Sequence, residues 1–166
     1  ATLAVLVSIV LLAVSSALWA ASGPDRALVR ARELEQAGEF RAAIRALESA
    51  ADAGAPDSGV MNQLALLYAK DGQFGKARSL FGQVLQGEPQ DLFAQLWVGI
   101  LDLSQENLPG AFSAFHRLAG IRPADDSERY FLANAYYFLG AIYSFRRDLG
   151  NALKALEAAR QANPRD

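Results

Sequence analysis

The chain is 166 residues long, 52% hydrophobic, with 16 basic and 18 acidic side chains, one histidine and no cysteine. A net charge of -2 with both signs interspersed supplies no basic field for nucleic acid, and the lack of cysteine excludes disulfides, thiolate metal ligation and a thiol nucleophile. The length allows one ordinary domain, yet all 34 charged side chains lie beyond residue 24, so the leading segment and the remainder suit different solvents.

Thr2 to Ala21 reads TLAVLVSIVLLAVSSALWAA, 20 residues that would rise about 30 Å as a helix, close to the thickness of a bilayer's hydrocarbon core. Trp19 near the downstream end suits the headgroup level, and Gly23-Pro24-Asp25 ends the segment and opens a polar region. The expectation is a retained transmembrane anchor over residues 1–22. A cleaved signal peptide is the alternative, since Ala20-Ala21-Ser22 offers small residues for cleavage, but the apolar run exceeds the roughly 7–15 residues of a signal core. Ala13, Ser16, Ala17 and Ala20 form the small-xxx-small pairs Ala13/Ala17 and Ser16/Ala20, which would let this helix pack closely on another. The plainer explanation is that Ala and Ser are common in membrane spans.

Beyond Pro24 the sequence repeats itself. Residues 24–57 carry Gly38, Phe40, Ala43 and Leu47; residues 58–91 carry Leu64, Tyr68, Gly72, Phe74, Ala77, Phe81 and Pro89. Residues 92–125 carry Gly99, Leu108, Ala111, Phe115 and Pro123; residues 133–166 carry Leu139, Gly140, Tyr143, Leu149, Ala152, Leu156 and Pro164. Ala43, Ala77 and Ala111 follow one another at 34 residues, as do Pro89 and Pro123. Within each unit two apolar helical patterns of about 12 residues flank a short polar turn, as in Tyr68-Ala-Lys-Asp-Gly-Gln-Phe74. Gly72 suits the left-handed conformation that ends a helix. Small Ala77 and Ala111 allow neighbouring helices to approach, while Phe81 and Phe115 fill the space between units. No single unit buries both its faces, so the stack must supply the core.

These residues resemble the tetratricopeptide repeat family over nearly everything after the leading segment. The resemblance implies an all-α fold, a single N-terminal transmembrane helix (1–22) followed by a right-handed α-solenoid of about four helix-turn-helix repeats (23–166). Unit one lacks the first-helix signature, with Arg30 and Ala31 at its Leu-Gly place, and unit three has Asp102 where the family usually has an aromatic. Pro164 follows Pro123 by 41 residues rather than 34, and the seven extra fall around Asp126 to Leu132. Ser127, with Asp126 before it, reads as an N-cap, so the first helix of unit four should be longer than the others. The array reaches Pro164-Arg-Asp without a polar capping helix, and further chain or a partner is expected over that edge.

Signs of chemistry are few. His116 is the only histidine; alone it anchors no zinc site, and a surface histidine is the expectation. No glycine-rich phosphate loop, GxSxG elbow or HExxH helix occurs. Glu33/Glu35 and Asp125/Asp126 lie in charged stretches and read as helix surface or cap. No enzymatic activity, metal or cofactor is expected.

In the family, the first helices of successive units line a concave groove that takes peptide partners. Carried over by place, the resemblance puts Phe93, Leu96, Trp97, Ile100 and Leu103 of unit three, and Asn134, Tyr137, Phe138, Ala141 and Phe145 of unit four, along that groove. Asn62, Gln63, Leu66 and Lys70 of unit two, with Arg32 and Glu35 of unit one, continue it as a polar surface. Of the basic clamp by which one subfamily grips acidic C-terminal peptides, only Asn62 and Lys70 remotely fit, which disfavours that mode. An apolar lining suits an amphipathic helix or hydrophobic segment; packing of the same aromatics inside the fold is the competing reading. The expected function is that of a non-catalytic, membrane-tethered interaction module, an accessory or assembly subunit of a membrane protein complex. The alternative is a tethered adaptor or chaperone-like receptor that captures polypeptides. Richness in Ala, Gly and Arg suggests a bacterium and its inner membrane. Arg26, Arg30 and Arg32 would hold the repeats in the cytoplasm if Ala1 were the start, whereas an upstream basic segment would export them; a periplasmic domain is the expectation.

Overall fold

A computed structural model describes residues 24–54 and 57–162. Eight helices are found among the described residues: α1 (Pro24–Gln36), α2 (Phe40–Asp52), α3 (Ser58–Lys70), α4 (Phe74–Gly87), α5 (Leu92–Ser104), α6 (Leu108–Leu118), α7 (Asp126–Phe145) and α8 (Leu149–Ala162). Three of them, α3, α5 and α7, start from an aspartate cap. Asp57, Asp91 and Asp125 accept from the backbone N–H groups of Val60, Ala94 and Glu128 at 2.8, 2.7 and 2.8 Å, satisfying donors that a helix N-terminus leaves unpaired. For α7 this corrects the expectation of Ser127 as cap: Asp125 has the extended backbone a cap requires, and Ser127 lies in the first turn. The lengthening is as expected. α7 has 20 residues where α5 has 13, the seven-residue insertion taken up as helix.

Helix ends inside the repeats share one device. Gly38 and Gly72 (φ 77°), Glu106 (φ 59°) and Arg147 (φ 60°) all adopt the left-handed region. At three of these turns the next residue donates back across the helix end: Glu39 to Leu34 O at 2.8 Å, Asn107 to Asp102 O at 2.8 Å and Asp148 to Tyr143 O at 2.9 Å. This is the Schellman closure, which pairs carbonyls that would otherwise be orphaned. Two turns therefore place a side chain where glycine is easiest.

The helices form two compact units that divide between Asp71 and Gly72. In the first, α2 packs on both α1 and α3, and α1 touches α3; its core holds Ala31, Ala43, Ile44, Leu47, Leu64 and Leu67. In the second, α4 to α8 pack each on the next, and α5 also touches α7. Its core gathers Leu96, Phe115, Leu118, Leu139 and Ile142 around Ala111, Ala135 and Ala155. The expected small contacts are buried, with Ala43, Ala77 and Ala111 fully covered. Two glycines are likewise forced by geometry: a Cβ on Gly99 would lie 2.6 Å from the Phe115 ring, and one on Gly140 would lie 2.8 Å from Leu156. Among the described residues no helix is long and apolar enough to cross a membrane. The expected anchor over 1–22, with Ala13, Ser16, Ala17 and Ala20, lies outside the described residues.

Candidate partner-binding surface

The groove residues expected on α5 and α7 separate into three groups. Leu96 is in the core, 5% exposed, and offers a partner nothing; helix α7 packs over this part of α5, which spacing within α5 could not reveal. Phe93, Trp97, Ile100, Leu103 and Phe138 are half-buried. Tyr137 and Phe145 stand in solvent at 57% and 74% exposure.

Two of the half-buried rings have a structural task. Trp97 stacks on the fully buried Phe81 of α4, with centroids 6.4 Å apart and planes within 8°. At the equivalent place, 41 residues on, Phe138 stacks on the fully buried Phe115 of α6 at 4.7 Å and 15°. Phe93 tilts against both Phe81 and Trp97 at 6.1 Å. Trp97 and Phe138 thus join one repeat to the next, and truncating either removes core packing. The solvent-facing apolar surface is displaced toward α7 and α8, where Tyr130, Tyr137, Phe145, Leu149, Leu153 and Leu156 are all exposed. The leucines were missed as a surface because Leu149 and Leu156 occupy signature places that are covered in the preceding repeat.

On α1 and α3 the expected polar stretch comes together. Glu35 accepts from Gln63 at 3.1 Å and pairs with Lys70, so these three groups satisfy one another; such partly exposed pairs contribute little stability. Nearby, Tyr68 donates its hydroxyl to Glu48. Burial, that hydrogen bond and the Glu48 charge push the Tyr68 phenol up to about 12. At the end of α7, Asp148 accepts from Asn151 through both side chain and backbone, at 2.7 and 3.2 Å, which holds its carboxyl below the usual range.

His116 is exposed, as expected, with its ring parallel to Phe112 at 5.7 Å. It borders a cavity of about 320 Å³ with Tyr136, Tyr143, Asn151 and Lys154. One repeat earlier a cavity of about 220 Å³ is lined by Gln95, Asp102, Gly110 and Ser113, the equivalents of Tyr136, Tyr143, Asn151 and Lys154. The hollow is therefore a recurrent product of how the helices stack. Among the described residues no group of His, Asp and Glu side chains could hold a metal ion.

A sequence model of the tetratricopeptide repeat matches residues 133–166, the unit containing α7 and α8. That unit carries a tetratricopeptide repeat. Solved structures share the fold at low identity. One of MamA is 21% identical with a TM-score of 0.67, over 81% of this chain and 74% of that one. MamA from Desulfovibrio magneticus RS-1 is 20% identical with a TM-score of 0.65, over 86% and 77%. A tetratricopeptide repeat protein from Parabacteroides merdae is 13% identical with a TM-score of 0.66, over 86% and 54%. No curated protein sequence matches the chain. Tetratricopeptide repeats commonly serve protein–protein interaction, and the matched unit includes Tyr137, Phe138 and Phe145 of α7.

Proposed function

We propose that this tetratricopeptide chain is a membrane-tethered interaction module, an accessory or assembly subunit of a bacterial inner-membrane complex. Residues 1–22 anchor it, the repeats lie in the periplasm, and a partner segment docks on the face of α5 and α7. The observation that carries the docking reading is the exposure of Tyr137 and Phe145, together with the partial exposure of Phe93, Ile100 and Leu103. Exposed aromatics in such number are an association surface or an aggregation liability. The charge-free run of Thr2 to Ala21 supports the tether.

Cross-linking and purification from native membranes test this. A stoichiometric membrane partner should be recovered with the parent chain, and Tyr137→Ala with Phe145→Ala should weaken its retention about 100- to 1,000-fold, since each aromatic anchor contributes roughly 2 kcal/mol and the two need not add fully. Undiminished recovery with the double variant would remove this face as the docking surface, and a heterogeneous set of weakly held chains would favour the adaptor reading. A chain beginning at Gly23 should leave the membrane fraction. Its retention without a partner would refute the single anchor, and protease digestion of spheroplasts that spares the repeats would refute the periplasmic orientation.

A further inference from the structure

Two hollows of this array share a scaffold and differ in what lines them. The one between α6, α7 and α8, about 320 Å³, has a copy of about 220 Å³ between α4, α5 and α6, and that copy stays open although α7 and α8 follow it. The space therefore belongs to each repeat, whatever stacks next. Its chemistry does not repeat. Where the earlier hollow has Gln95, Asp102 and Ser113, the later one has Tyr136, Tyr143 and Lys154, and His116 joins them from α6 at the place where α4 carries Gly82. An acid has been exchanged for a phenol, a hydroxyl for an amine and a glycine for an imidazole.

We propose that the hollow between α6, α7 and α8 binds a small aromatic carboxylate, its ring against Leu139 and Tyr136 and its carboxylate between Lys154 and His116. The sign of the ligand's charge follows from the donors. Among the described residues no acidic side chain lines the hollow and Lys154 forms no ion pair, while the imidazole offers an N–H in either protonation state. Asp148, the nearest acid in sequence, is held at the start of α8, where Asn151 donates to both of its oxygens at 3.2 and 2.7 Å. Arg146 adds positive charge close by, its guanidinium 5.2 Å over the Phe112 ring on which His116 also stacks. Hydrogen bonds from a cation to a carboxylate are the strong ones. The aromatic part follows from the walls. Tyr136 commits its hydroxyl to Ala119 O at 3.2 Å and so presents its ring, and Leu139 and Ala155 are apolar. A volume of about 320 Å³ is at the small end for a ligand site and holds a single-ring acid. An inorganic anion would leave those walls unused. The site stands independently of the docking face at Tyr137 and Phe145.

His116 is the only histidine in the chain, so its ring resonances report on this hollow without overlap. The probe is benzoate, titrated into the full chain in mild detergent at constant ionic strength. A saturable shift of the His116 signal is expected. Lys154→Gln should weaken the binding about tenfold through loss of one charge-assisted hydrogen bond, with helix content unchanged. Arg129→Gln, which removes an exposed positive charge from the start of α7, should leave it as in the parent. Benzamide, a neutral amide of the same shape, and inorganic phosphate should each fail to saturate. Benzoate without a saturable shift overturns the proposal, and so does binding that Lys154→Gln leaves intact or that Arg129→Gln weakens equally. An equal response to benzamide would show a hollow that does not read charge, and an equal response to phosphate one that reads charge alone; either outcome also overturns it.

Discussion

The carboxylate of Asp102 pairs with the guanidinium of Arg78 at the place where, one repeat later, Tyr143 meets Phe112 edge-on. The aromatic pair of α6 and α7 is thus replaced by an ion pair between α4 and α5. Asp102 is 4% exposed while Arg78 is 43% exposed, and Asn107 gives the carboxylate a second hydrogen bond at 3.1 Å. The burden of desolvation falls on the acid.

Removing Arg78 should therefore be the damaging change. Arg78→Leu is expected to destabilise by about 3 kcal/mol or more, because it strands a buried carboxylate, and Asp102→Asn by less, because the arginine retains access to water. The double change Arg78→Phe with Asp102→Tyr reproduces the later repeat and should recover most of the loss. Urea unfolding of the three variants measures this; equal effects of the two single changes would mean that the pair is solvated.

The left-handed turns make a second prediction. Gly72→Ala should cost about 1–2 kcal/mol from backbone conformation alone, since a Cβ there meets nothing within 4 Å. Glu106→Gly and Arg147→Gly should each stabilise by about 0.5–1 kcal/mol, the relief at φ 59° and 60° being partly offset by a freer unfolded chain. Thermal unfolding decides it, and a loss of stability in both glycine variants would contradict the strain assigned to these turns.

Two glycines that look alike in sequence should behave in opposite ways. Gly99→Ala places a methyl 2.6 Å from the Phe115 ring and should destabilise by about 1–3 kcal/mol through overpacking. Gly82→Ala, also helical, meets nothing within 4 Å and should stabilise by up to about 1 kcal/mol. Comparing their denaturation midpoints tests the packing of α5 against α6.

Alkaline pH probes the first unit. The folded state keeps the Tyr68 phenol neutral, its pKa raised from 10.0 to about 12. Its contribution is fully present below pH 10.0 and is lost as pH rises from there toward about 12. Stability measured across that window should fall more steeply for the parent than for Tyr68→Phe, which has no proton to lose. Parallel curves would show that Tyr68 titrates as an ordinary surface tyrosine.

Repetition made much of this fold legible. Ala77, Phe81 and Pro89 recur in register with Ala111, Phe115 and Pro123, and Gly72 with Gly38, and each has a local or nearest-neighbour task that a side chain type announces by itself. The length of α7 was legible too, since seven added residues had to lengthen an element or a loop. The first residues of the chain show charge-free apolarity and nothing more, and their placement lies outside the described residues. Tertiary structure decided the rest. Asp125 caps α7 in place of Ser127 because the chain enters that helix extended at Asp125, a backbone angle that composition does not encode. Glu106 and Arg147 occupy glycine-like turns because the helices on both sides over-determine them. Leu96 and Tyr137 hold equivalent places, yet one is 5% and the other 57% exposed, and Phe115 and Leu156 differ in the same way. Apolar character and period say that a face must be covered. Whether a following helix covers it depends on what stacks next, and that is a property of the assembled array.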